Sequence, residues 1–160
     1  MESNLIADQF SNIVYKAVDQ SNPKQIISQE LENRKQQCEH LRGFEVLDAT
    51  TGKIESDLFL PIGKDRAAFS NGKDIFIAER GTVPTNLRDQ GNNLSILAIG
   101  VAPRINDARR FVEKIQERYP KSKIFLCGHS LGGHISQFVA TLKKYHPALQ
   151  FTTYSNEVSM

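Results

Sequence analysis

The segment Lys123–Phe138, KIFLCGHSLGGHISQF, holds a serine in the pattern G-x-S-x-G, formed by Gly128, His129, Ser130, Leu131 and Gly132. A serine hydroxyl in that setting can attack a carbonyl carbon. The apolar run Ile124–Cys127 before it reads as a buried strand, and Leu131, Ile135, Phe138, Val139 and Leu142 after it recur at helical spacing. A sharp strand-to-helix turn at the edge of a sheet projects the serine oxygen above the strands. The flanking glycines then sit where a Cβ would collide with the neighbouring strand or helix. Free N–H groups and the positive dipole end of the following helix would stabilise an oxyanion formed there. The plain alternative is a glycine-rich strand–helix turn with a serine N-cap.

A serine becomes a nucleophile only when a histidine takes its proton and a carboxylate orients that histidine. Between Leu131 and Met160 the only such residues are His134, His146 and Glu157. His134 lies one helical turn past the serine, where its side chain runs along the helix flank. His146, beside Pro147, ends the same helix roughly 20 Å away. His40 precedes the sheet altogether. Glu157 follows the last strand on the serine's edge and is the candidate acid, against the plainer reading of a solvated tail residue. None of these histidines reads as the base.

The elements that must position the serine are legible in outline. Leu5, Ile6, Phe10, Ile13, Val14, Ala17 and Val18 predict an amphipathic helix, and Asn22-Pro23 opens a second one. That second helix carries only Ile27, Leu31, Cys38 and Leu41 before Gly43 stops it, the pattern of a surface helix. From Phe44 the runs become extended. A Thr50-Thr51-Gly52 turn comes after the first, and Ser70-Asn71-Gly72 joins Ala67–Phe69 to Ile75–Ala78. The strand at Ile75 ends abruptly in Glu79-Arg80-Gly81-Thr82.

The apolar run Asn93–Arg104 reads as a buried strand, and a helix comes after Pro103 with Ile105, Ala108, Val112, Ile115 and Tyr119 on one face. Arg104, Arg109, Arg110, Lys114, Arg118, Lys121 and Lys123, interleaved with Asp107, Glu113 and Glu117, predict a solvated helix face. LQFTTYS closes as a strand. Alternating strands and helices give an α/β fold with a mostly parallel sheet and flanking helices.

Composition narrows the partners. In 160 residues, 20 Lys and Arg against 18 Asp and Glu leave a formal charge of +2, no electrostatic reason to expect nucleic acid or an anionic membrane. The two cysteines, Cys38 and Cys127, lack metal-ligand spacing, and Cys127 sits in an apolar run as a reduced, buried thiol would. No metal and no cofactor are expected. MESNLIADQF lacks the form of a secretory leader, and the run Ile96–Ala102 is too short to span a bilayer. The default placement is cytoplasmic, although leaderless export would leave no mark in the sequence.

Two blocks, IFIAERGT and IFLCGHSLGGHISQF, resemble the class 3 lipase family of α/β-hydrolases across about Ala67 to Tyr154, and Gly128–Gly133 matches the family's run in full. The resemblance implies a partial α/β-hydrolase fold: residues 1–43 as an N-terminal helical segment, without a counterpart in the family, and residues 44–160 as a truncated lipase-like domain. It implies Ser130 as nucleophile and Leu131 and Thr82 as the oxyanion hole, with Gly128, His129 and Gly132 as elbow structure. His129 would be structural. Some related lipases draw their acid from the position of Glu157. Asp89 stands near an acidic position after the RGT block, but the tryptophan usual there is absent.

The implied activity is hydrolysis of carboxylic esters, lipid esters included, and the segment Asn93–Arg104 could then border an acyl pocket or a lid. Without a histidine base the 160-residue chain is expected to be inactive by itself. The alternative is a non-catalytic binding or interaction protein on the same fold. An exposed last strand would invite self-association.

Overall fold

The computed structural model describes residues 2–17, 20–54, 62–63, 65–80, 94–129, 135–136, 139–140 and 151–156. Helix α1 (Glu2–Ile13) runs into a 3-10 turn at Val14–Ala17, and α2 (Pro23–Lys35) opens on its proline, whose fixed φ suits the first helical turn. A 3-10 turn at Glu39–Leu41 leads to β1 (Glu45–Thr50), β2 (Lys53–Ile54), β3 (Ile62–Gly63), β4 (Arg66–Ser70) and β5 (Asp74–Glu79). Next in the chain are α3 (Leu94–Arg118), β6 (Lys123–His129) and β7 (Phe151–Asn156), with helical residues 135–136 and 139–140 between the last two strands.

The main sheet has the order β1-β4-β5-β6-β7, and β2 and β3 form a separate antiparallel pair. β1, β4 and β5 are antiparallel to one another in turn, whereas β5, β6 and β7 are parallel. The tight β4–β5 turn returns its strand antiparallel, and the helical crossover through α3 brings β6 back parallel to β5. The β4–β5 turn is built as its residues predict. Gly72 takes φ +92°, the Asn71 side-chain oxygen accepts from the amides of Lys73 (3.0 Å) and Asp74 (2.8 Å), and Ser70 Oγ accepts from Gly72 N–H at 3.0 Å.

Strand alternation splits the core in two. One face carries Phe69, Phe76, Ala78, Phe125 and Cys127 under α1 and α2; the other carries Ala68, Ile75, Ile77, Ile124 and Leu126 under α3 and the helical residues Ile135 and Val139. Phe10 of α1 is fully buried and stacks on Phe69, with ring centroids 4.0 Å apart and planes 7° from parallel. Phe44 meets the edge of Phe10 at 5.1 Å.

Two expectations are corrected. The second helix ends at Lys35 rather than near Gly43, and it is not a surface helix: Ile27, Leu31 and Leu41 are buried in the α1-side core. Two residues four apart are enough to seat a short helix when they fall on one line. The segment expected as a strand before Pro103 is the first part of α3, which continues through the proline to Arg118. A short apolar run has no period that separates strand from helix, which is why that expectation failed. β7 pairs with β6 and has no second neighbour among the described strands.

Candidate active site

Three parallel strands finish at one edge. Glu79 stands opposite Gly128, Gly128 opposite Ser155, and His129 opposite Asn156, so β5, β6 and β7 end level. Neighbouring strands lie about 4.8 Å apart. The chain leaves β5 toward Arg80-Gly81-Thr82, β6 toward Ser130 and β7 toward Glu157. Of the predicted site, Gly128 and His129 are placed. Ser130, Leu131, Gly132, Thr82 and Glu157, together with Asp89, His134 and His146, lie outside the described residues.

The helical residues beyond Ser130 are anchored to the strand before it. Ser136 is buried, and its Oγ donates to the carbonyl of Cys127 in β6 at 3.0 Å. Ile135 and Val139 join the α3-side core.

Gly128 falls on the α3 face in the alternation of Ile124 and Leu126, and it sets no side chain beside Glu79. Glu79 is 3% exposed and centres a buried ion cluster. Arg66, opposite Glu79 in β4, donates Nε to Glu79 Oε1 at 2.6 Å and Nη1 to Asp107 of α3. Arg104, also on α3 and 4% exposed, brings Nη2 to 3.5 Å from Glu79 Oε2 and donates to the backbone carbonyl of Arg80. Asp65 accepts from Thr51 Oγ1 and lies 2.7 Å from Arg80 Nε as a charge contact without hydrogen-bond alignment. Burial by itself lowers the Arg66 pKa, but Glu79 and Asp107 outweigh it and the net direction is up. For Arg104 burial dominates, aided by the nearby Arg66 and Arg80 charges, and the pKa moves down although Glu79 opposes.

Charge patterning predicts Arg104 and Asp107 on a solvated helix face, and for Arg104 the structure reverses this. The available signal was a carboxylate, Glu79, closing an apolar strand opposite an arginine that opens another. Arg109, by contrast, makes the expected surface pair with Glu113 at 2.9 Å.

The two described histidines are far apart in role. His129 points to the α1 face, where Nε2 lies 3.1 Å from Asp8 Oδ1 without hydrogen-bond alignment. His40 lies at the opposite edge, lining a cavity of about 580 Å³ with Phe44, Asn71, Asp74 and Phe76, beside the β4–β5 turn. Cys127 is a free thiol that burial pushes up to about 12, so it stays protonated and unreactive at neutral pH. Among the described residues no group of His, Cys, Asp and Glu could hold a metal, and no helix is long and apolar enough to cross a membrane.

This arrangement matches solved structures. The triacylglyceride lipase of Rhizomucor miehei superposes with a TM-score of 0.55 at 17% identity, covering 96% of this chain and 62% of that one. The fold is that of a lipase-like α/β-hydrolase. The native propeptide complex of Rhizomucor miehei lipase aligns at a TM-score of 0.55 and 16% identity over 96% of this chain and 52% of the other. A fungal lipase–inhibitor complex aligns at 0.50 and 16% over 92% and 58%. The family model of hydrolases described as serine aminopeptidase, S33, matches residues 100–153, less than half of the chain but including the whole G-x-S-x-G segment. The α/β-hydrolase fold expected from the sequence is therefore present, with its parallel part in β5–β7. The chain spans between 51% and 62% of the length of the Rhizomucor lipase chains it matches.

Proposed function

We propose that this chain builds the nucleophile side of a serine ester hydrolase of the lipase and esterase type, acting on carboxylic esters, lipid esters included. The observation that carries the reading is the register of Glu79 with Gly128. It brings the strand leading to Thr82 next to the strand leading to Ser130. In this reading Ser130 Oγ attacks the ester carbonyl while a base takes its proton, and the oxyanion meets the N–H of Leu131 and the N–H and hydroxyl of Thr82. The alcohol departs with a proton, and water then releases the acid from the acyl-serine. Glu157, directly after Asn156, is the acid of this proposal.

Among the described residues, neither histidine serves as the base in this reading. His40 lines a cavity at the wrong edge, and His129 faces Asp8 across the sheet from the α3-side cluster. Loss of the base typically costs a factor of about 10⁴ or more. Residues 1–43 act as a helical cover over the hydrolase domain at residues 44–160, a reading supported by the seat of Phe10 on Phe69. The outer edge of β7 is where another strand, from a second copy or another segment, would pair. Free Cys38 and Cys127 suit a reducing compartment such as the cytoplasm.

The test is a fluorophosphonate probe applied to the 160-residue chain and to Ser130→Ala. The expected result is no serine-dependent labelling. Labelling of the wild type that disappears in Ser130→Ala would show that the chain already holds its base. The non-catalytic binding protein is the second outcome, and it gains ground if Ser130 stays inert even when a base is supplied.

A further inference from the structure

We infer that Arg104 is a positioning residue for the end of β5, fixing the peptide carbonyl of Arg80, the residue that precedes Gly81 and Thr82 in the chain. Its functional meaning rests on the hydrolase reading above, but its physical basis does not. The last peptide of a strand has left the ladder, and its carbonyl would ordinarily be met by water. Here the Arg80 carbonyl accepts from Arg104 Nη2, and the Arg80 amide donates to the Asp65 carbonyl at 3.0 Å. Two successive peptide units are therefore held, one by Arg104 of α3 and one by Asp65, the residue just before β4.

The guanidinium is itself held. Arg104 Nη2 also reaches Glu79 Oε2 at 3.5 Å, Glu79 Oε1 takes Arg66 Nε at 2.6 Å, and Arg66 is tied to Asp107 and lies over the Phe111 ring at 5.8 Å. Arg104, Asp107 and Phe111 all belong to α3. The position of a rigid helix is in this way transmitted through planar, charged donors to a single carbonyl. A guanidinium fork sets direction as well as distance. Such control matters for an oxyanion donor, because a donor is effective only when held within about 0.5 Å of its productive position. A surface arginine could not do this, and a buried one without a task would be disfavoured by its desolvation.

The experiment uses the full chain labelled with ¹³C and ¹⁵N. In Arg104→Met the Arg80 carbonyl carbon should move to lower frequency and the Arg80 amide should exchange about 10- to 100-fold faster, the loss expected for one charge-assisted hydrogen bond. The amides of Phe76 and Ile77, inside the same strand, should exchange as before. Arg104→Lys, which keeps a charged donor, should recover most of the wild-type carbonyl shift. An unmoved Arg80 carbonyl in Arg104→Met, or equal acceleration along all of β5, would overturn the inference. If Arg104→Met does not fold, the unmodified chain decides. Separate, slowly exchanging Arg104 Nη protons are expected, and a single fast-exchanging signal would overturn it. None of these readouts depends on Ser130 chemistry, so failure of the hydrolase reading would appear separately, as an inert Ser130.

Discussion

Glu79 stands level with Gly128 in neighbouring parallel strands, and its carboxylate receives Arg66 Nε at 2.6 Å. The edge at which β6 leads into the G-x-S-x-G pattern is thus buttressed by a buried carboxylate between two guanidiniums. Such a cluster adds little net stability when intact, yet removing one partner leaves charge stranded in a dry site. Glu79→Ala should therefore cost about 3–5 kcal/mol, measured by urea unfolding. A loss below about 1 kcal/mol would mean that water reaches Arg66 and Arg104, and that the cluster is a surface one.

On the other face the helices and the sheet share one aromatic core. Phe10 is fully buried against Phe69, Phe44 and Phe76, so Phe10→Ala should destabilise by about 3–5 kcal/mol. Leu5, on the same helix but 57% exposed, should change stability by no more than about 0.5 kcal/mol when replaced by alanine. Similar losses at both positions in equilibrium unfolding would contradict a tightly seated α1.

Cys127 gives a pH signature. Burial raises its thiol from an ordinary value of 9.0 to about 12. Between those values the unfolded chain releases this proton and the folded chain keeps it, so the unfolded state binds fewer protons. Stability from this group is complete below pH 9 and should fall as pH rises toward 12, on the values of the shift itself. A thiol reagent at pH about 8 should modify the half-buried Cys38 and leave Cys127 untouched until unfolding. Rapid double modification of the native protein would contradict this placement.

Much of this fold is written in local pattern. Ile75–Ala78 and Ile124–Cys127 are unbroken apolar runs, the mark of strands covered on both faces, and they are the parallel pair at the centre of the sheet. Asn71-Gly72 announces its turn because a side-chain acceptor and a positive φ are needed there. Ile96–Ala102 misleads because seven apolar residues suit a buried strand and a helix equally, and only the continuation through Pro103 decides. Arg104 misleads because charge patterning counts residues along a helix and cannot see a carboxylate that arrives from another strand. The pairing of Glu79 with Arg66 follows from the β4–β5 hairpin, whereas its contact with Arg104 comes from α3, and nothing local encodes it.

The proposed hydrolase chemistry requires Ser130, directly after β6, to be a reactive nucleophile once a base is supplied. Its sharpest test is the mass of the intact chain after exposure to a fluorophosphonate, with and without added imidazole, for wild type and Ser130→Ala. An adduct on Ser130 is expected only when imidazole supplies a base, and none in Ser130→Ala. A wild-type chain that stays unmodified in imidazole while remaining folded would contradict the proposal.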